Sequence, residues 1–167
     1  MSSLVVYYSV YGNCRFAAEE LARRLDAETL ELVERRGPRK GLGILFGALK
    51  AIRNKPSRLA GDPWSHLRDV DTLWLISPIW ASSATPAALS FLEGAHLAGK
   101  TVNVVTLQAD PSGEGSERAH SALQQRITDA GGSVGRMVAL HSDRPGSFAG
   151  EAEIRPQIEE LVKSATA

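Results

Sequence analysis

Cysteine is nearly absent from this 167-residue chain. Cys14 stands alone, which excludes an intramolecular disulfide, a Cys-x-x-Cys redox pair and a multi-cysteine metal site. The four histidines, His66, His96, His120 and His141, are scattered without metal-ligand spacing and read as surface or structural residues. No apolar run approaches the roughly 18 residues of a membrane span. The start, Met1-Ser2-Ser3-Leu4, runs into a strand with no charged n-region and no h-region behind it. Stable membrane insertion is therefore not expected, and a cytoplasmic location is. Charge is absent in sum: 19 Lys and Arg balance 19 Asp and Glu, so no global field favours nucleic acid. There is no internal repeat, no low-complexity tract, and no GxGxxG after the first strand to mark a dinucleotide site.

What remains is a composition of 43% hydrophobic and 23% charged residues, as expected of one globular domain over 1–167. The chain alternates two periodicities. Val5 to Tyr8 is β-branched and aromatic, and the helix behind the loop that follows repeats Ala17, Leu21 and Leu25 at i, i+4 and i+8. Ala27 to Glu34 alternates polar and apolar residues, as a half-buried edge strand does. Gly41 to Ile52 has helical spacing at Leu42, Leu45, Phe46, Leu49 and Ile52. Asp71 to Ser77 is a nearly continuous apolar run, expected to stop before Pro78. Thr85-Pro86 supplies an N-cap and a first-turn proline for a short helix ending near Gly94. Lys100 to Leu107 and Ser133 to Leu140 read as further strands. Helices follow each, carrying Ala119, Leu123 and Ile127, then Ile154, Ile158, Leu161 and Val162, with Pro156 near the start of the last.

Five βα units with short connections imply a three-layer α/β fold, a doubly wound parallel sheet of five strands. Such sheets bind ligands beyond the carboxyl ends of their strands, at the switch point. Three loops fall there. The first, Ser9-Val10-Tyr11-Gly12-Asn13-Cys14, joins a strand to a helix N-terminus, whose unpaired N–H groups and dipole suit an anion. Ser9, Asn13 and Tyr11 offer side-chain donors there, and Gly12 allows close backbone approach. The second, Pro78-Ile79-Trp80-Ala81-Ser82, presents an aromatic. The third, Leu107-Gln108-Ala109-Asp110, presents backbone polar groups and a carboxylate. A flat aromatic ligand with a phosphate tail would use all three.

Ser9-Val10-Tyr11-Gly12-Asn13, Ser77-Pro78-Ile79-Trp80-Ala81 and Ala98-Gly99-Lys100-Thr101-Val102 resemble successive landmarks of the flavodoxin family. The resemblance covers nearly the whole chain and implies strand order 2-1-3-4-5 with FMN at the switch point between strands 1 and 3. It implies that Ser9 to Cys14 hold the FMN phosphate, that Pro78 to Ser82 flank the isoalloxazine and ribityl with Trp80 near the ring, and that Leu107 to Asp110 close over the pyrimidine side. Two positions depart from it: Tyr11 and Cys14 stand where flavodoxins usually carry hydroxyl residues, and a thiol is a poor donor. The run Tyr-Tyr-Ser-Val-Tyr-Gly is similar to the first loop of tryptophan-repressor-binding-protein-like NAD(P)H:quinone oxidoreductases, which bind FMN. The function implied is electron transfer by a flavodoxin-like protein, working with a redox partner protein. The alternatives are an FMN-dependent NAD(P)H:quinone or related oxidoreductase, and a flavin-free binding module. The flavin would carry the chemistry, so no side chain is assigned a catalytic role. Many quinone-reductase relatives complete their sites as homodimers.

Three features keep two or more readings. Cys14, at a helix N-terminus, is either redox-sensitive or a filler of a small space. Asp110 either accepts a bond from the flavin or caps the following turn. Between Arg35 and Arg58 lie eight basic residues and no acidic one, leaving 11 basic and 19 acidic residues elsewhere. That basic segment is a solvated helix face, a docking site for an acidic partner or nicotinamide phosphate, or a weak contact with an anionic membrane surface.

Overall fold

The computed structural model of the protein describes residues 2–36, 56–110, 112, 115–142 and 147–166. The helix expected over Gly41 to Ile52, and with it Lys50, Arg53 and Lys55 of the basic segment, lies outside the described residues. The strands are β1 (Ser3–Tyr7), β2 (Glu28–Glu31), β3 (Thr72–Trp80), β4 (Ser83–Ala84), β5 (Thr101–Gln108) and β6 (Ser133–His141). The helices are α1 (Asn13–Leu25), α2 (Pro86–Gly94), α3 (Ser116–Asp129) and α4 (Glu151–Thr166), with a short 3₁₀ turn at Pro63–Leu67. The sheet order is β2-β1-β3-β5-β6, all parallel, and β4 pairs antiparallel with β3 off this path. Counted along the chain, the five parallel strands stand in the expected 2-1-3-4-5 order.

Period-two alternation divides the core. Leu4, Val6 and Tyr8 face one side of β1 and join Leu73 and Leu75 of β3, with Leu89 and Phe91 of α2 and Leu123 and Ile127 of α3. Val5 and Tyr7 face the other side, with Trp74 and Ile76, under Ala17, Ala18 and Leu21 of α1 and Ile154 and Ile158 of α4. A polar lock joins those two helices. The buried carboxylate of Glu20 accepts bonds from Arg23 and Arg24, and Arg24 reaches on to Glu159 at 2.6 Å. Among the described residues no helix is long and apolar enough to cross a membrane.

One boundary differs from expectation in a way that shapes the site. β3 continues through Pro78 to Trp80 instead of stopping at Ser77. Tyr8 N–H donates to the Ile76 carbonyl, so even-numbered residues here turn their backbone groups toward β1. β1 has ended by the level of Pro78, so the missing proline N–H costs no ladder bond. Past that point β4 becomes the partner, with Ile79 opposite Ala84 and Trp80 opposite Ser83.

Candidate functional site

The carboxyl ends of β1 and β3 lie side by side where the chain's crossovers diverge to opposite faces. After β1, Gly12 is the N-cap of α1 with φ 97°, a left-handed conformation that favours glycine. Its N–H donates to Ser9 Oγ at 3.2 Å, and its carbonyl accepts the first helical bond, from Phe16 N–H at 2.9 Å. No side chain caps this helix, and its first turn holds no acidic residue. The N–H groups of Asn13, Cys14 and Arg15 therefore have no partner among the described residues. Together with the helix dipole they form a small positive cradle.

The side chains around this cradle divide their tasks unexpectedly. Asn13 turns both ends of its amide to a distant segment: Nδ2 donates to the Ser147 carbonyl at 2.9 Å, and Oδ1 accepts from Ala149 N–H at 2.8 Å. What Asn13 offers the cradle is its backbone N–H. The clamp holds Phe148 over the loop, where a Cβ on Gly12 would lie 3.7 Å from Phe148 Cδ2. Phe148 meets Phe16 edge-on at 6.0 Å, and the Arg155 guanidinium lies 5.5 Å from the Phe16 ring centroid. Cys14 is buried beside Ala17 and Ala18, and burial pushes its thiol far above the ordinary range. Of its two readings, the filler is the one this environment supports, and the cradle receives only its N–H.

On the second loop, Trp80 is half-buried, its ring 5.8 Å from that of Tyr8 at an interplanar angle of 71°. Tyr8 O–H donates to Glu34 Oε2 at 2.7 Å, and burial first, then this bond, raises the phenol above its usual value. Pro78 and Ile79 are half-buried beside them, and Ser77 turns inward to Thr85 at 2.7 Å. The two-residue link from β3 to β4 has positive φ at both positions, 48° at Ala81 and 55° at Ser82. That is the pattern of a type I′ turn, normally built from Asn and Gly.

On the third loop, Leu107 and Gln108 are the buried end of β5, and Ala109 and Asp110 are exposed. Gln108 Nε2 donates to the Asp110 carbonyl at 3.1 Å. Asp110 Oδ1 accepts from Ser112 N–H and Oγ at 2.9 and 2.8 Å, and these bonds hold its carboxyl below the usual range. Asp110 is thus a turn cap here. His141, at the end of β6, pairs its Nδ1 with Glu153 and sets Nε2 3.1 Å from the Ala109 carbonyl, which ties this loop to α4.

The structure places every expected residue at one edge of the sheet and joins Tyr8 to Trp80 directly. The aromatic pair at Phe16 and Phe148, the Asn13 clamp and the His141 tie had no sequence signal, because their partners lie far apart in the chain and share no local pattern. Among the described residues no group of three His, Cys, Asp or Glu is arranged to hold a metal ion.

No protein-family model matches the chain, and no curated protein matches it. Solved structures do. A candidate flavoprotein of Bacteroides uniformis superposes with a TM-score of 0.73 at 22% identity, covering 97% of each chain. A flavoprotein of Lactobacillus acidophilus, solved in complex with FMN, gives 0.61 at 18% identity, covering 83% of this chain and 92% of that one. Trp repressor binding protein of Bacillus subtilis gives 0.65 at 13%, covering 96% and 99%. The chain therefore has the flavodoxin-like fold.

Proposed function

We propose that the protein binds FMN at the carboxyl edge of β1 and β3 and acts in electron transfer. The observation that carries this is the uncapped start of α1: three unpaired N–H groups and a left-handed Gly12, at the switch point, beside the Tyr8–Trp80 aromatic pair. These residues fit the group. The N–H groups of Asn13, Cys14 and Arg15 receive the phosphate, Ser9 keeps a hydroxyl proton to donate, and no carboxylate in the first turn opposes it. Trp80, with Pro78 to Ser82, borders the ring and ribityl, and Leu107 to Asp110 border its pyrimidine side. Bound FMN would supply the electron chemistry, and the protein's part is to hold it, exclude water and tune it by stacking and charge.

An absorption spectrum of the purified protein, with an FMN titration if it is colourless, tests this. Flavin bands that survive gel filtration are expected. Failure to retain FMN at micromolar concentration refutes the reading and favours a flavin-free binding module. The leading version is a carrier that needs a protein partner, and the first-loop run Tyr7 to Gly12 supports a second reading, an FMN-dependent NAD(P)H:quinone or related oxidoreductase. Steady nicotinamide oxidation with a quinone and no second protein separates the two.

A further inference from the structure

His141 closes β6 and stands in register with Gln108, the last residue of β5. β6 is an edge of the sheet, yet the backbone of His141 is not left open there. Gln157 of α4 takes both of its groups. His141 N–H donates to Gln157 Oε1 at 2.9 Å, and Gln157 Nε2 donates to the His141 carbonyl at 2.9 Å. A further bond from Nε2 to the Glu153 carbonyl, also at 2.9 Å, fixes the amide itself. The side chain thus replaces a neighbouring strand, and the imidazole projects from a fixed backbone.

Both ring nitrogens meet acceptors. Nδ1 pairs with the Glu153 carboxylate, and Nε2 lies 3.1 Å from the Ala109 carbonyl. A neutral imidazole carries a single N–H and serves only one of the two, whereas the imidazolium serves both. The carboxylate is the stronger acceptor and keeps the proton of the neutral ring. The bond that fails is then the one to Ala109, where a lone pair would face a carbonyl oxygen. Among the described residues, the other side-chain bonds to Ala109 and Asp110 come from Gln108 and Ser112, within or next to the loop itself. The charged groups described around the ring are Glu153 on α4 and Asp110 on the loop, and β5 contributes the uncharged Gln108. Both are carboxylates, so neither repels a positive ring.

We propose that His141, as the imidazolium, is the positioning residue of the third loop, holding Ala109 and Asp110 for the pyrimidine side of the flavin and coupling flavin retention to its proton. Its service to a flavin rests on the FMN reading above, whereas the proton-dependent tie to Ala109 does not. The sign follows from the ring. While both nitrogens carry protons the loop is held; as pH rises and one proton leaves, the loop is released and FMN binding weakens.

Two measurements on the whole protein test this. The first needs neither flavin nor variant. NMR of the isotope-labelled, flavin-free protein follows the Asp110 amide, whose peptide group contains the Ala109 carbonyl. It should shift along the same curve as the His141 ring nitrogens, between about pH 5 and 8, where histidines titrate. The second is FMN affinity across that range, from fluorescence quenching, in wild type and in His141→Gln, which keeps a donor and does not titrate. Taking the ratio of the two affinities cancels titration of the FMN phosphate. Wild type should bind about three- to tenfold tighter at the acid end, up to the scale of one bond from a charged donor, and the advantage should shrink toward the alkaline end. A merely structural histidine would change affinity by the same factor at every pH. Far-UV circular dichroism checks that the variant is folded. An Asp110 amide that ignores the ring titration, or an affinity ratio constant with pH, overturns the proposal. Loss of FMN binding by both proteins at every pH refutes the flavin reading instead, and the Asp110 amide still decides the tie.

Discussion

Asn13 offers a way to separate what holds the fold from what holds the ligand. Its amide makes two bonds to a segment more than a hundred residues away, at 2.9 Å to the Ser147 carbonyl and 2.8 Å from Ala149 N–H. Part-buried neutral bonds of this kind are worth about 0.5–1.5 kcal/mol each, so Asn13→Ala is expected to cost about 1–3 kcal/mol of stability. Asn13→Asp keeps an acceptor for Ala149 N–H and gains about 0.3–1 kcal/mol at the helix N-terminus, while it loses the bond to Ser147. The expected stability order is wild type, then Asn13→Asp, then Asn13→Ala. Ligand binding should invert the last two. A carboxylate at the start of α1 would repel the phosphate; for two unit charges at an assumed separation of about 6 Å and an effective dielectric of ~20 this is about 3 kcal/mol, or roughly a hundredfold in affinity. Urea unfolding of the flavin-free protein gives the first order, and quenching of FMN fluorescence gives the second. If the two variants rank the same way in both assays, the phosphate does not sit at the start of α1.

Four further outcomes follow from particular contacts. Gly135→Ala would drive a Cβ into Asn103 Oδ1, the acceptor for Arg136 N–H beside the β5–β6 register shift, and is expected to cost about 1–3 kcal/mol in thermal unfolding. Burial holds His120, bonded to Thr106 Oγ1 at 2.7 Å, below its ordinary 6.5. Its folded state resists protonation, so the stability this residue contributes is present above pH 6.5 and is lost as pH falls below it; His120→Gln should flatten that part of the profile in denaturant midpoints. A thiol reagent should label Cys14 only on unfolding, and rapid labelling of the native protein would contradict its burial. Ser82→Gly should raise the unfolding midpoint by relieving left-handed strain of about 1 kcal/mol, and no gain would mean that the turn is unstrained.

The sheet was legible because its signals are local. Alternation in Leu4 to Tyr8 and the continuous run Leu73 to Ile76 report faces that each residue meets within its own strand. Helix starts were legible for the same reason, as at Thr85, whose hydroxyl accepts from Ala88 N–H at 3.4 Å. Pro78 misled because a proline is read as a strand end, whereas its effect depends on whether a neighbour needs its N–H. Here β1 has stopped and none does. Asn13 misled in a similar way. Its place beside an anion cradle suggested a donor, and only the tertiary fold brings Ser147 and Ala149 close enough to take both ends of the amide. The bond from Arg35 N–H to the Arg58 carbonyl, at 2.8 Å, depends on a return of the chain that no periodicity announces.

The strained turn at Ala81 and Ser82 bears on why the site has the form it does. Two residues with Cβ atoms hold positive φ where Gly would be strain-free, and such outliers persist only where surroundings over-determine them. The surroundings are identifiable. Ile79 and Trp80 are pinned to Ala84 and Ser83, Trp80 is set on Tyr8, and Ser82 lies so close to Gly115 that a Cβ there would fall 2.9 Å from Ser82 Oγ. Each contact fixes the direction in which β3 leaves the sheet, and that direction sets where the Trp80 ring stands relative to the cradle on α1. A glycine at either position would make the turn easier to form and also easier to deform. The strain is accordingly the counterpart of a rigid aromatic wall, placed by strands rather than by a free loop.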